Sequence, residues 1–174
     1  MDQKGCIHIY CGNGKGKTTA AMGLCVRAAG NDKKILLMQF LKANSSGEIK
    51  ILESIPNVAI IKGPDKMKFS IDMTQQEKDA LKAHYEQSFG DIVSRVGEYD
   101  MLVLDEIVYT IAAGLFSEKL LTNFLKNKPD KLEVVMTGQN PSEALTRLAD
   151  YVSEINKIKH PYDKGLKSRI GIER

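Results

Sequence analysis

The chain has 174 residues, 43% of them hydrophobic and 27% charged, a balance too apolar for a disordered segment and ordinary for a folded one. That length suits a single domain over 1–174 with a substantial core, and leaves little room for a second. The 25 basic and 22 acidic residues leave a formal charge of +3 spread along the chain, which argues against a nucleic-acid partner. The opening MDQKGCIHIYCG lacks both the leader pattern and an apolar run long enough to span a membrane, so a cytoplasmic protein with no membrane partner is expected.

In chain order, CIHIYC at 6–11 reads as a short buried strand containing His8, followed at once by the glycine-rich turn GNGKGK. A helix is expected from near Lys17 to Gly30, with Gly30 supplying a left-handed cap. ILLMQF at 35–40 suits a central parallel strand covered on both faces. A short helix over Gly47 to Ser54 and a strand at 58–61 follow, and residues 63–73 read as a loop. Thr74 and Glu77 have capping-box spacing ahead of the longest helix, whose stripe of Leu81, Tyr85, Phe89, Ile92 and Val96 reads as core.

MLVLD at 101–105 is the next buried strand, and Ile107 to Leu115 and Leu120 to Leu125 read as helices, with Ser117 capping the second. LEVVMTG at 132–138 ends a further strand. Asn140 is expected to cap a helix opened by Pro141 with Glu143 at its third position. A last strand is placed at Tyr151 to Ile155, ahead of a basic tail of Lys157, Lys159, His160, Lys164, Lys167 and Arg169 that reads as a solvated face. Cys6, Cys11 and Cys25 lack paired zinc-site spacing; Cys6 and Cys25 are expected to be buried small side chains. Alternating strands and helices imply an α/β fold with a mostly parallel central sheet.

The stretch CGNGKGKT at 11–18 matches a phosphate loop except for Cys11 at its first position. The expected nucleotide site comprises Gly12, Asn13, Gly14, Lys15, Gly16, Lys17, Thr18 and Thr19. Backbone amides there, with the N-terminus of the following helix, supply donors to anionic oxygens. Lys17 reaches the terminal phosphates, Thr18 faces a bound Mg2+, Lys15 meets phosphate or solvent, and Gly12 protects the backbone geometry. MLVLDE at 101–106 delivers Asp105 and Glu106 to the same carboxyl edge of the sheet. Asp105 is expected to orient Thr18 and hold a metal-bound water, and Glu106 either to bind Mg2+ or to act as a general base; the alternative is a solvated acidic pair at a helix start. The motif by itself leaves hydrolysis, phosphoryl transfer and adenosyl transfer open.

Several blocks in order carry a more specific resemblance: GNGKGKTTAAMG at 12–23, LLMQFLK at 36–42, KGPDKMKF at 62–69, MLVLDEIVY at 101–109, VVMTGQNP at 134–141, LADYVSEINKIKHPYDKG at 148–165 and GIE at 171–173. Over nearly the whole chain the pattern resembles the P-loop corrinoid adenosyltransferases, which transfer adenosyl from ATP to reduced cobalamin or a related corrinoid. The resemblance implies a three-layer P-loop NTPase-like fold, ATP held in reversed orientation with its triphosphate as leaving group, and a cobalt(I) nucleophile. It also implies Mg2+ on Thr18 and Glu106, triphosphate charge stabilised by Lys17, a homodimer, and a transient flavoprotein reductase partner.

The resemblance further places Phe69, with Ile71, in a corrin-binding segment that closes over the corrin and displaces the lower cobalt ligand. Ile71 stands where relatives often carry Trp, Gln139 where many carry Arg, and Arg174 where an aromatic commonly follows GIE. His160 is given no catalytic role, and the few residues before the first strand imply that the N-terminal cap of some relatives is short or absent. Two other functions remain open from the residues: an NTPase or small-molecule kinase, and a low-turnover corrinoid- or nucleotide-binding regulatory protein.

Overall fold

The structure, a computed structural model, describes residues 4–42, 46–64 and 72–173. The strands are β1 (Ile7–Cys11), β2 (Ile35–Gln39), β3 (Val58–Ile61), β4 (Met101–Asp105), β5 (Glu133–Thr137) and β6 (Tyr151–Glu154). The helices are α1 (Lys17–Ala29), α2 (Gly47–Leu52), α3 (Gln75–Arg95), α4 (Ile107–Ala112), α5 (Glu118–Lys126) and α6 (Glu143–Leu148). The strands form one sheet in the order β3-β2-β4-β5-β1-β6, and every pairing is parallel.

Period-2 alternation along the central strands divides the core into two layers. Ile35 and Leu37 of β2, Met101 and Val103 of β4 and Val135 of β5 face Ala21, Met22, Cys25 and Ala29 of α1 and Ile49 and Leu52 of α2. Leu36, Met38, Leu102, Leu104, Val134 and Met136 face the other way, onto Tyr85, Phe89 and Ile92 of α3 and onto residues of α4, α5 and α6. Continuous apolar strands buried on both faces follow from this three-layer arrangement, as expected for a parallel sheet whose crossovers are helical. At the edge beyond β1, all four residues of β6 are exposed. Among the described residues no helix is long and apolar enough to cross a membrane.

The Thr74–Glu77 capping box forms, and Ser117 caps α5 through the Leu120 amide. Two expected caps are corrected. Gly30 is right-handed (φ −67°), and the left-handed residue that ends α1 is Asp32 (φ 60°). The Lys33 amide bonds Ala28 O and the Asp32 amide bonds Ala29 O, so the helix closes in a Schellman motif two residues beyond the glycine. Likewise Ser142, not Asn140, caps α6, accepting from the Leu145 amide; Glu143 is the first helical residue rather than the third. Asn140 instead takes a left-handed turn (φ 53°). Cys25 is fully buried as expected, whereas Cys6 is only partly buried and Cys11 is buried.

Candidate active site

The carboxyl ends of β1, β2, β4 and β5 converge on one carboxylate. Asp105, the last residue of β4, is fully buried and accepts from four side chains. Thr18 Oγ1 (2.9 Å) and Thr137 Oγ1 (2.7 Å) donate to Oδ1, while Gln39 Nε2 (3.0 Å) and Lys42 Nζ (2.8 Å) donate to Oδ2. The register explains the convergence: Gln39 pairs directly with Asp105, and Thr137 ends the neighbouring β5. A buried carboxylate without such partners would be strongly destabilising. Asp105 is therefore fixed as a hub to which the Thr18 hydroxyl is tied.

Glu106 occupies a left-handed conformation (φ 66°) at the N-cap of α4, uncommon for a residue with a side chain. Its amide donates to Thr137 Oγ1 (2.8 Å) and its carbonyl accepts from Thr110 Oγ1 (2.7 Å), which hold the turn in place. Its carboxylate makes no hydrogen bond among the described residues. Burial, reinforced by the charge of Asp105, pushes its pKa above the usual carboxylate value, against the opposing pull of Lys42 and Lys17. It is a carboxylate with lone pairs to spare; of the acidic pair only Asp105 is fully buried, and Glu106 is half-buried.

In the phosphate loop, Lys17 is buried and its Nζ donates to Gly14 O (2.9 Å). Gly12 (φ 101°) and Gly16 (φ 121°) take the left-handed backbone that glycine permits. The first part of the loop is committed elsewhere: the Gly14 amide donates to Ile155 O (2.7 Å), and Asn13 Oδ1 accepts from the Lys157 amide (2.8 Å). A Cβ on Gly12 would lie 2.4 Å from Ile155 O. Asn13 and Gly14 thus stitch the segment after β6 to the loop, which leaves the amides of the N-terminal turn of α1 as the donors a helix start can offer to an anion. The C-terminal segment also comes close: Arg169 hydrogen bonds pull the Glu173 carboxyl down to about 2, with a smaller contribution from Lys15.

Three hub residues, Gln39, Lys42 and Thr137, were not singled out from the sequence. Their signal was indirect, since each lies at or just past the carboxyl end of a strand neighbouring β4. Lys42 follows Leu41, whose left-handed turn (φ 55°) is held by its amide donating to Tyr85 Oη (2.8 Å). Gln139 is exposed just past Gly138, and His160 Nδ1 accepts from the Tyr162 amide in a local turn, which is a structural role. Asp163 pairs with Lys157 (3.0 Å). Phe69, Ile71 and Arg174 lie outside the described residues.

A parallel sheet with a glycine loop between β1 and α1, and an acidic residue ending β4 on the far side of β5, defines a P-loop nucleotide-binding protein. The chain belongs to the family described as ATP:corrinoid adenosyltransferase BtuR/CobO/CobP, which matches residues 3–174. It is 33% identical over 176 residues to the corrinoid adenosyltransferase of Escherichia coli K12, with 99% of this chain and 87% of that protein aligned. It is 31% identical over 181 residues to the corrinoid adenosyltransferase CobA of Salmonella typhimurium, with the same coverage. Among solved structures, the fold resembles ATPases 2 and 3 of EssC from Geobacillus thermodenitrificans at a TM-score of 0.54 and 14% identity, covering 96% of this chain and 35% of that one. It also resembles the type VII secretion ATPase EccC of Thermomonospora curvata at a TM-score of 0.51 and 17% identity, covering 93% of this chain and 21% of that one. The chain thus spans about a third of the first and about a fifth of the second, and both likenesses concern the fold alone.

Proposed function

We propose that this protein transfers the 5′-deoxyadenosyl group of ATP to the cobalt(I) centre of cobalamin or a related corrinoid and releases inorganic triphosphate. Family membership over residues 3–174, joined to a phosphate loop whose Thr18 is bonded to the Asp105 hub, is the observation that carries the reading. The cobalt(I) electron pair forms the bond to the ribose C5′, and the C5′–O pair departs with triphosphate. No protein nucleophile is needed; the protein contributes position and charge.

On this reading the amides of Lys15 to Thr19 and the Lys17 ammonium receive the triphosphate, Lys17 exchanging its contact with Gly14 O for one with phosphate. The donor set suits Mg2+, which favours one or two carboxylates and substrate phosphates over an all-protein cage. Thr18 and Glu106 would hold it, with Asp105 orienting Thr18 from behind. The ion would supply charge neutralisation on the leaving group. Phe69 and Ile71 are assigned to the corrin side by resemblance, as are the homodimer and the flavoprotein reductase that delivers the low-valent cobalt. The free thiols of Cys6, Cys11 and Cys25 suit a reducing compartment, and we assign the reaction to the cytoplasm.

The test is anaerobic incubation with Mg-ATP and chemically prepared cob(I)alamin, following the cobalt–carbon product optically and the phosphates by chromatography. Adenosylcobalamin with stoichiometric triphosphate is expected. ADP formed without any corrinoid would instead identify an NTPase or kinase, and tight corrinoid binding without transfer a regulatory binder.

A further inference from the structure

Lys42 has a position that the reaction as described leaves unexplained. Its Nζ lies 2.8 Å from Asp105 Oδ2 and 3.1 Å from Thr18 Oγ1, so its ammonium sits against the hydroxyl assigned to the metal ion and the carboxylate behind it. Asp105 is fully buried while the Lys42 side chain is 28% exposed, which makes this a pair with one end fixed in the core and the other able to swing towards solvent. The two sides of the pair are also anchored differently. Asp105 is held by three further donors from β2, β5 and α1, whereas Lys42 reaches in on a four-carbon stem from the loop after β2.

We propose that Lys42 is a place-holding cation: its ammonium neutralises Asp105 and shields Thr18 until nucleotide arrives, and a divalent ion enters this position only together with the triphosphate, which gives the displaced ammonium a new anionic partner. The inference rests on the metal assignment made above and adds an order to binding. Lys42 Nζ lies 3.1 Å from the Thr18 hydroxyl that would ligate the ion, and two like charges on one hydroxyl in a partly buried pocket repel strongly, so metal entry and Lys42 occupancy are mutually exclusive. A lone divalent ion must evict an ammonium with nowhere favourable to go; an ion arriving with triphosphate need not. Lysine suits this exchange because its charge is compact and its stem flexible, unlike the planar fork of arginine.

The probe is Mn2+ alone, titrated into the protein without nucleotide or corrinoid and followed by the loss of the free-ion EPR signal. Wild type is expected to bind at least about tenfold more weakly than Lys42→Met, and the gain should vanish in Lys42→Met combined with Asp105→Asn, which removes the exposed charge. Lys42→Gln, whose amide still donates to Asp105, guards against poor folding of the Met variant and should show the same gain; circular dichroism checks each fold. Equal Mn2+ affinity in folded wild-type and Lys42→Gln proteins overturns the proposal, as does a gain that survives Asp105→Asn. Because no adenosyl transfer is measured, this result and the transfer assay fail independently.

Discussion

Thr18 Oγ1 donates a 2.9 Å hydrogen bond to Asp105 Oδ1, joining residues 87 positions apart at the one edge of the sheet where the phosphate loop opens. The bond converts two separate motifs into a single site, because a threonine in the first turn of α1 is aimed by a carboxylate held by three other donors.

Lys17→Ala removes the ammonium from the phosphate loop while costing the fold only the contact to Gly14 O. Transfer turnover should fall about 100- to 1,000-fold, the range for removing one preorganised charge-stabilising donor. The thermal midpoint should stay close to wild type. Steady-state kinetics with a melting curve on the same preparation checks both, and near-normal adenosylation would remove Lys17 from its role.

Thr137→Val keeps the side-chain shape but deprives Asp105 Oδ1 of a donor and the Glu106 amide of its acceptor, both at a buried residue. Destabilisation of about 2 to 4 kcal/mol is expected from two buried groups left short of a partner. Urea unfolding measures it, and a loss below about 0.5 kcal/mol would show that the hub tolerates one missing bond.

Gly14→Ala tests the stitch between the phosphate loop and the segment after β6. The added Cβ would lie 2.7 Å from Ile155 O and 2.9 Å from the Asn156 backbone, neither able to retreat without breaking the loop's hydrogen bonds. ATP affinity should drop about tenfold, with faster hydrogen exchange at residues 155–157. Unchanged exchange there would mean that the loop and the tail are independent.

Asp100 joins the starts of β2 and β4, accepting from the Lys34 amide (2.8 Å) and Lys33 Nζ (3.2 Å). The backbone hydrogen bond, aided by Lys33, holds its carboxyl below the ordinary value of 3.8. A depressed carboxyl stabilises the fold above its unfolded pKa and loses that contribution as pH falls through the folded one. Asp100→Asn should therefore be about 1 kcal/mol less stable at pH 7, a figure discounted for the exposure of the pair, with the gap closing below pH 3.8. A gap that is constant from pH 7 to 3 would contradict the assignment.

Phe69→Ala addresses the corrin side. If Phe69 displaces the lower ligand, conversion starting from cobalt(II) should suffer at least about tenfold more than reaction of preformed cobalt(I), since ligand removal matters only before reduction. Equal defects in both assays would reassign Phe69 to general corrin contact.

The order of strands and helices along the chain, the phosphate loop at Cys11 to Thr18 and the acidic pair at Asp105 and Glu106 are legible in the residues alone. Each is written in local pattern: continuous apolar runs for strands buried on both faces, glycines where the backbone must turn left-handed, a lysine and a hydroxyl at phosphate-loop spacing. The helix ends were less legible at Gly30 and Asn140, because Asp32 tolerates the left-handed turn that glycine was expected to make and Ser142 competes as a nearer cap. Folding, by contrast, is what brings Gln39, Lys42 and Thr137 onto Asp105 and commits Asn13 and Gly14 to the tail. Those relationships follow from the strand order, which sets β2 and β5 on either side of β4 and β6 beside β1. Strand order is fixed by packing between residues distant in the chain, and no local propensity encodes it.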